Sequence, residues 1–338
     1  MTAQSPQPTP MLFFDTLNAY QRSAALKAAI ELDLFTAVAT TDGTTAGIAA
    51  QSNAAERGVR ILSDYLTLIG FLNKDGSRYS LTKESAAFLD RRSPAYLGSV
   101  ADFLLDDHIT GGFKSLAAAV RKGGTIVSEA GSLEPNHPMW VTFARAMAPM
   151  MYPAAQAIAR LVDPGANRKL KVLDIASSHG LFGLAFATHN PNAEIYAVDW
   201  PNVLELGKEN ANKMGVGNRY HIIPGSAFDV EFGTDYDVVL LTNFLHHFDV
   251  PTCESLLKKV HAALAEGGVA ATLEFVPNSD RVSPEGVAGF SLIMLATTPS
   301  GDAYTFTELD RMFKNAGFEK NEIHSLETAI QQLIISRT

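Results

Sequence analysis

Cysteine is almost missing from this chain: Cys253 stands alone among 338 residues. One thiol excludes an internal disulfide framework and a multi-cysteine metal site, and it suits a reducing compartment. Cations are also in short supply. Lys and Arg number 27 against 36 Asp and Glu, giving a net charge of −9, and no long basic run is present. Phosphate contacts need clustered cations, so nucleic acid is not expected as the main partner. No apolar stretch approaches the ~20 residues that a bilayer-crossing helix requires, so membrane insertion is not expected either. Met1 to Pro10 has neither a basic start nor an apolar core; a secretory signal is therefore not expected, and a cytoplasmic location is. What remains is a chain long enough for two domains with a substantial core.

The most informative stretch is Lys171-Val-Leu-Asp-Ile-Ala-Ser-Ser-His-Gly180, followed by Ile195-Tyr-Ala-Val-Asp199. It predicts a buried strand, a tight turn of small residues, a helix from about Leu181 to Thr188, and a second strand ending in an acid. That is the layout of a nucleotide-type site in a doubly wound α/β domain. The helix would turn its free N–H groups toward the ligand, and the acid would accept ribose hydroxyls. Glycine, however, is scarce where a dinucleotide fingerprint needs it. Ala176, Ser177 and Ser178 fill the turn and only Gly180 survives, which disfavours a pyrophosphate and hence a dehydrogenase.

The chain divides into three regions. Residues 11–98 read as helices closed by a hairpin at Asp75-Gly76, a winged-helix-like arrangement. Helices are expected over Tyr20–Ile30, Thr45–Ala50 and Ala55–Leu68, with Ser52-Asn53 as a cap for the last. The helix in the recognition position, Ala55–Leu68, carries Glu56 and Asp64, so dimerisation is a better use for this region than DNA reading. Residues 99–167 read as a helical, Met- and Phe-rich linker, with a proline break expected at Pro149. From residue 168 to 338, strands alternate with helices: Lys171–Ala176, Glu194–Asp199, Tyr220–Ile223, Asp237–Thr242, Val269–Phe275 and Gln332–Ile335. This alternation predicts a largely parallel, Rossmann-like doubly wound sheet, with ligands beyond the carboxyl ends of its strands.

Three further segments follow those strand ends: Pro224-Gly-Ser-Ala-Phe-Asp229, Thr242-Asn-Phe-Leu-His-His-Phe-Asp249 and Thr272-Leu-Glu-Phe-Val-Pro277. Together with Pro299-Ser-Gly-Asp-Ala-Tyr-Thr-Phe-Thr-Glu-Leu309 and Asn315-Ala-Gly-Phe318, they resemble the class I S-adenosylmethionine-dependent small-molecule O-methyltransferases of the caffeate, flavonoid and bacterial polyketide type. The resemblance spans nearly the whole chain, since that family also carries an N-terminal winged-helix-like dimerisation region. It implies S-adenosyl-L-methionine as cofactor, a homodimer, and a small aromatic or polyketide-like acceptor. For the cofactor it implies Asp174, Ala176 and Gly180 beside the methionine end, Asp199 on the ribose, and Trp200 at an adenine edge. Ser226, Ala227 and Phe228 fall in the adenine segment, where the family usually has an aspartate at the position of Ser226, and Phe248 matches an aromatic near the cofactor. Thr242 stands where many members carry Lys. As plain sequence, Asp174 also suits a helix cap, Asp199 a turn before Pro201, and Ser226 a loop hydroxyl.

The resemblance also implies a base. A phenol or enol with a pKa near 10 is well served by a base of near-neutral pKa, and His246 matches the family's base, with His247 where many members have Asp. Glu274 on the fifth strand is a candidate to orient it. A second family acid falls at Ala303, with Asp302 adjacent, and this departure keeps a non-methylating reaction (hydroxylation, decarboxylation or cyclisation) open as an alternative. A DNA-binding regulator is a further, weaker one. The acceptor pocket is expected to draw on Phe143, Met147, Met151, Phe290, Met294 and Thr298; Met and Phe at helical spacing suit an ordinary core equally well.

Overall fold

The structure is a computed structural model, described here for residues 8–163, 165 and 167–338. It forms two compact units, one ending at Leu105 and one running from Asp106 to Thr338. In the first, helices Tyr20–Glu31, Leu34–Thr40, Thr45–Gln51 and Glu56–Leu68 pack with a hairpin of β1 (Leu72–Asp75) and β2 (Arg78–Leu81). The shared core includes Leu34, Phe35, Ile48, Leu66, Leu72 and Tyr79. Helix Glu56–Leu68 begins at Ala55 with no side-chain cap, so Ser52-Asn53 does not cap it; the side chain that caps a neighbouring helix is Thr44. Asp64 on that helix pairs with the hairpin's Lys74 and its own helix's Arg60. Helix Met11–Leu17 buries none of its residues, and Leu12, Phe13 and Leu17 are 80%, 61% and 56% exposed.

The second unit is built on a seven-stranded sheet. Its strands are β3 (Leu170–Ile175), β4 (Ala193–Asp199), β5 (Tyr220–Pro224), β6 (Tyr236–Thr242), β7 (Leu264–Glu274), β8 (Lys320–Ser325) and β9 (Gln332–Arg337), in the order β5-β4-β3-β6-β7-β9-β8. The five strands from β5 to β7 are parallel; the central β3 and β6 are nearly continuous buried apolar runs, as strands covered on both faces must be, while the edge strand β5 is largely exposed. β8 and β9 pair antiparallel at the far edge. The order reverses between β3 and β6, and the turns leaving those two strands therefore open onto the crevice where ligands of such sheets bind.

One helix departs from expectation. Met139–Val162 runs unbroken through Pro149 and Pro153. Each proline removes a helical N–H and crowds the preceding turn, a cost of about 3 kcal/mol or more. The helix persists because Ala144, Ala146, Met147, Met151, Ala154, Ala155, Ile158 and Ala159 are all buried along it; tertiary packing outweighs the local penalty. Among the described residues no helix is long and apolar enough to cross a membrane.

Candidate active site

The turn after β3 is strained in a telling way. Ala176, Ser178 and Gly180 all take positive φ, at 55°, 53° and 74°. Glycine does this freely, whereas an L-residue pays about 1–2 kcal/mol. Asp174 Oδ2 accepts the Gly183 N–H at 2.9 Å, so the acid does cap the helix that follows. A Cβ on Gly183 would sit 2.9 Å from that oxygen and 2.5 Å from Ile195. Asp174 Oδ1 and Ser178 Oγ have no hydrogen-bond partner among the described residues. Burial pushes the Asp174 carboxyl well above the usual carboxylate range.

Asp199 ends β4 beside this turn. Its Oδ2 accepts the Ser178 N–H at 2.8 Å and its Oδ1 the Trp200 N–H at 2.7 Å. A carboxylate oxygen can accept two bonds, so one acceptor site remains on each oxygen, the number a vicinal diol needs. Burial pushes the carboxyl up to about 6, against the pull of those two N–H donors. Trp200 lies half-buried at the start of helix Pro201–Lys213.

The adenine-side segment follows β5. Gly225 N–H binds Asp199 O at 2.9 Å, and Asp229 and Val230 N–H both return to Ser226 O. Ser226 Oγ accepts the Phe228 N–H at 3.2 Å. Ala227 is buried, and Phe228 is exposed. Phe228, Phe244 and Phe248 form a cluster, with Phe248 edge-on to each of the others at 5.0 Å. The segment from Asp174 to Gly180 holds no Lys or Arg, and two acids flank it. A cofactor with a cationic end, a diol and a flat ring fits the two acids, the open acceptor sites and the aromatic cluster.

The second centre leaves β6. Asn243 takes φ 55° and reverses the chain into a single helical turn, Leu245–His247. His246 Nδ1 donates to Glu274 Oε2 at 2.6 Å, and both side chains are buried. The other carboxylate oxygen, Oε1, accepts the Phe244 and Leu245 N–H groups at 2.9 and 2.7 Å. Glu274 is thus fixed on three donors from the very turn that carries His246, which commits the imidazole's Nε2 to being the free acceptor. His247 has no such acid. Among the described residues its Nδ1 lacks a partner, its ring meets Trp140 edge-on at 5.4 Å, and burial together with the neighbouring His246 holds its pKa well below the ordinary range.

The expected acceptor residues divide. Phe290 stacks on Phe275 at 3.9 Å and presents its edge to His246 at 4.8 Å. Phe143 meets Trp140 at 5.7 Å, and Trp140 is fixed by its Nε1–H to Ser132 O. Met147, Met151 and Met294 are buried, and Met151 Sδ faces the Asn243 amide at 3.9 Å. Thr298 is fully buried, and its hydroxyl is engaged by Met294 O and Gly301 N–H, so it holds the backbone instead of offering a polar group. Ala303 is fully buried, and the adjacent Asp302 pairs outward with Arg281, which also holds Glu308. No second acid therefore reaches His246 from this segment. Sequence reading passed over Phe275, Gly183 and Gly301. At Gly301 a Cβ would lie 2.3 Å from His246 O, a close approach that the Pro-Ser-Gly run hinted at.

Comparison with known proteins shows the family. Residues 132–319 match the O-methyltransferase domain, and residues 14–91 match the O-methyltransferase dimerisation domain. The chain belongs to the O-methyltransferase family. A crystal structure of a candidate O-methyltransferase from Nostoc punctiforme PCC 73102 superposes with a TM-score of 0.96 at 56% identity, over 98% of this chain and 100% of that one. The tetracenomycin polyketide synthesis 8-O-methyl transferase TcmO of Streptomyces glaucescens is 26% identical, over 89% of this chain and 88% of its own. The 3-hydroxy-5-methyl-1-naphthoate 3-O-methyltransferase of Streptomyces sahachiroi is 25% identical, over 91% and 89%. The protein is an S-adenosylmethionine-dependent O-methyltransferase with an N-terminal dimerisation domain.

Proposed function

We propose that this enzyme methylates a hydroxyl of a small aromatic or polyketide-like acceptor, with His246 as general base and Glu274 as its orienting acid. The observation that carries this reading is the 2.6 Å bond from His246 Nδ1 to a glutamate that is itself held by two backbone N–H groups. When bound, S-adenosylmethionine supplies a methyl group open to in-line displacement by an oxygen nucleophile. The chain's own residues do the rest. His246 Nε2 takes the hydroxyl proton as the oxygen becomes nucleophilic, and Glu274 stabilises the imidazolium that forms. Phe275, Phe290, Phe143 and the buried methionines offer apolar, polarisable walls suited to a flat acceptor. Asp174, Ala176, Gly180, Asp199, Trp200, Ser226, Ala227, Phe228 and Phe248 would hold the cofactor, with the ribose on Asp199.

Two relatives named for polyketide and naphthoate substrates support the acceptor class. The exposed apolar helix Met11–Leu17 supports a homodimer through the N-terminal region, and the single thiol suits a cytoplasmic enzyme. The test is a panel of phenols, naphthols and hydroxynaphthoates assayed for S-adenosylhomocysteine release and for the methylated product. We expect turnover confined to planar hydroxylated rings. Release of S-adenosylhomocysteine only with amine or carbon acceptors would overturn the reading.

A further inference from the structure

Behind the turn that carries Ser226, Ala227 and Phe228 stands a cation with no acid beside it. Lys259, on helix Val250–Ala263, directs its ammonium at the carbonyls of Ala227 and Phe228, 3.1 and 3.3 Å away, and at that of Val230. An ammonium has three N–H donors, and three carbonyls receive them. The same nitrogen lies 4.2 Å from the centroid of the Phe232 ring, a contact that further steadies the charge. Among the described residues Lys259 makes no ion pair, so its charge serves the turn alone.

The turn needs such a hold. Residues 226–230 form one helical turn in which Asp229 and Val230 N–H both bind Ser226 O. A single turn is unstable by itself. Its carboxyl end gathers the partial negative charge of its carbonyls, and a cation placed there stabilises it. The opposite end is tied to the ribose acid through the Gly225 N–H to Asp199 O bond of 2.9 Å. Movement at 227–230 would therefore be felt at Asp199 as well. Ser226 gives this turn no charge of its own with which to grip a ligand, so rigidity counts for more.

We infer that Lys259 is a positioning residue for cofactor binding: it locks the Ser226–Val230 turn against the adenine while touching no cofactor atom. This rests on the cofactor placement proposed above. A side chain that only supported the fold would lower stability and turnover together. A positioning role moves cofactor affinity and leaves the chemical step alone.

The experiment compares K259M, K259R, the exposed-neighbour control K258M and the cofactor-contact control D199N, all in the full chain. Calorimetry with S-adenosylhomocysteine is expected to show about tenfold weaker binding in K259M, since part of the three charge-assisted bonds lost from the turn is felt at the ligand. KM for S-adenosylmethionine should rise alike, with kcat at saturation within about twofold of the parent. Hydrogen exchange over residues 225–231 of the unliganded protein should quicken in K259M and stay unchanged in K258M. K259R keeps the charge but replaces a tripod of donors by a planar fork, and should fall between parent and K259M. If K259M does not fold, K259R carries the test, with weakened binding at unchanged kcat expected. Unchanged affinity in K259M while D199N binds weakly overturns the inference alone. Unchanged affinity in both overturns the cofactor placement itself. A fall in kcat matching the fall in affinity also overturns the inference and makes Lys259 a residue of general support.

Discussion

The turns leaving β3 and β6 lie side by side in the sheet and use opposite strategies. The β3 turn keeps Asp174 Oδ1 and Ser178 Oγ without partners among the described residues and holds Ala and Ser in left-handed backbone. The β6 turn also holds one left-handed residue, Asn243, but it is gathered on Glu274, which accepts from His246, Phe244 and Leu245. Open polar atoms and strain mark a surface completed by something external. A carboxylate held by three donors marks a group whose orientation is set before any substrate arrives. On the proposed reading binding is separated from chemistry, and substitutions on the two turns should separate them too.

The largest effect is expected on the closed side. His246→Ala should lower kcat by about 10²–10⁴-fold, the span of one lost general base, while calorimetric affinity for S-adenosylhomocysteine stays at the parent value. Loss of that affinity along with turnover would merge the two turns into one unit. Glu274→Gln should lower kcat less than His246→Ala does, because the imidazole survives without its carboxylate.

Next comes the open side. Asp199→Asn should weaken S-adenosylhomocysteine binding by about 10–100-fold, since charge-assisted bonds contribute about twice what neutral ones do. With saturating cofactor its kcat should remain close to that of the parent. A variant that binds as the parent does would remove the ribose from Asp199.

A smaller effect is expected from pH. The ordinary aspartate value is 3.8 and that of Asp199 in the fold is about 6. Between the two, the folded chain holds a proton that the unfolded chain has released. The contribution of this group to the stability of the unliganded enzyme therefore declines as pH rises through that window, and is level above about 6. Ligand affinity runs the other way, because hydroxyl donors need the charged carboxylate. Binding of S-adenosylhomocysteine should weaken as pH falls below about 6, by at most about tenfold per unit, and Asp199→Asn should flatten the profile.

Ser178→Gly should give the smallest change. Relief of the left-handed strain should stabilise the unliganded enzyme by about 1 kcal/mol, read as a rise in thermal midpoint. A fall in the midpoint would mean that the serine hydroxyl compensates within the protein and that the turn is not strained.

The parallel strands were legible because each is a short apolar run bounded by turn residues, and the Leu245-His246-His247-Phe248 run stood out by its family register. β8 was not. Lys320-Asn-Glu-Ile-His-Ser carries no alternation, and it becomes a strand only because β9 offers it an edge. Pro149 misled for a similar reason, since a local helix breaker yields to a helix face buried along most of its length. Thr298 was singled out by family register, and its hydroxyl proved to serve the backbone.

Apolar periodicity and small residues at one strand end determined the sheet, its ligand edge and the identity of the acids there, because those signals are local and repeat along the chain. Only the tertiary structure decided which histidine meets an acid, where Asp302 turns, and that Lys259 stands behind the Ser226 turn. Such pairings join residues tens of positions apart, and their energy depends on distance and burial, which exist only once the chain is packed.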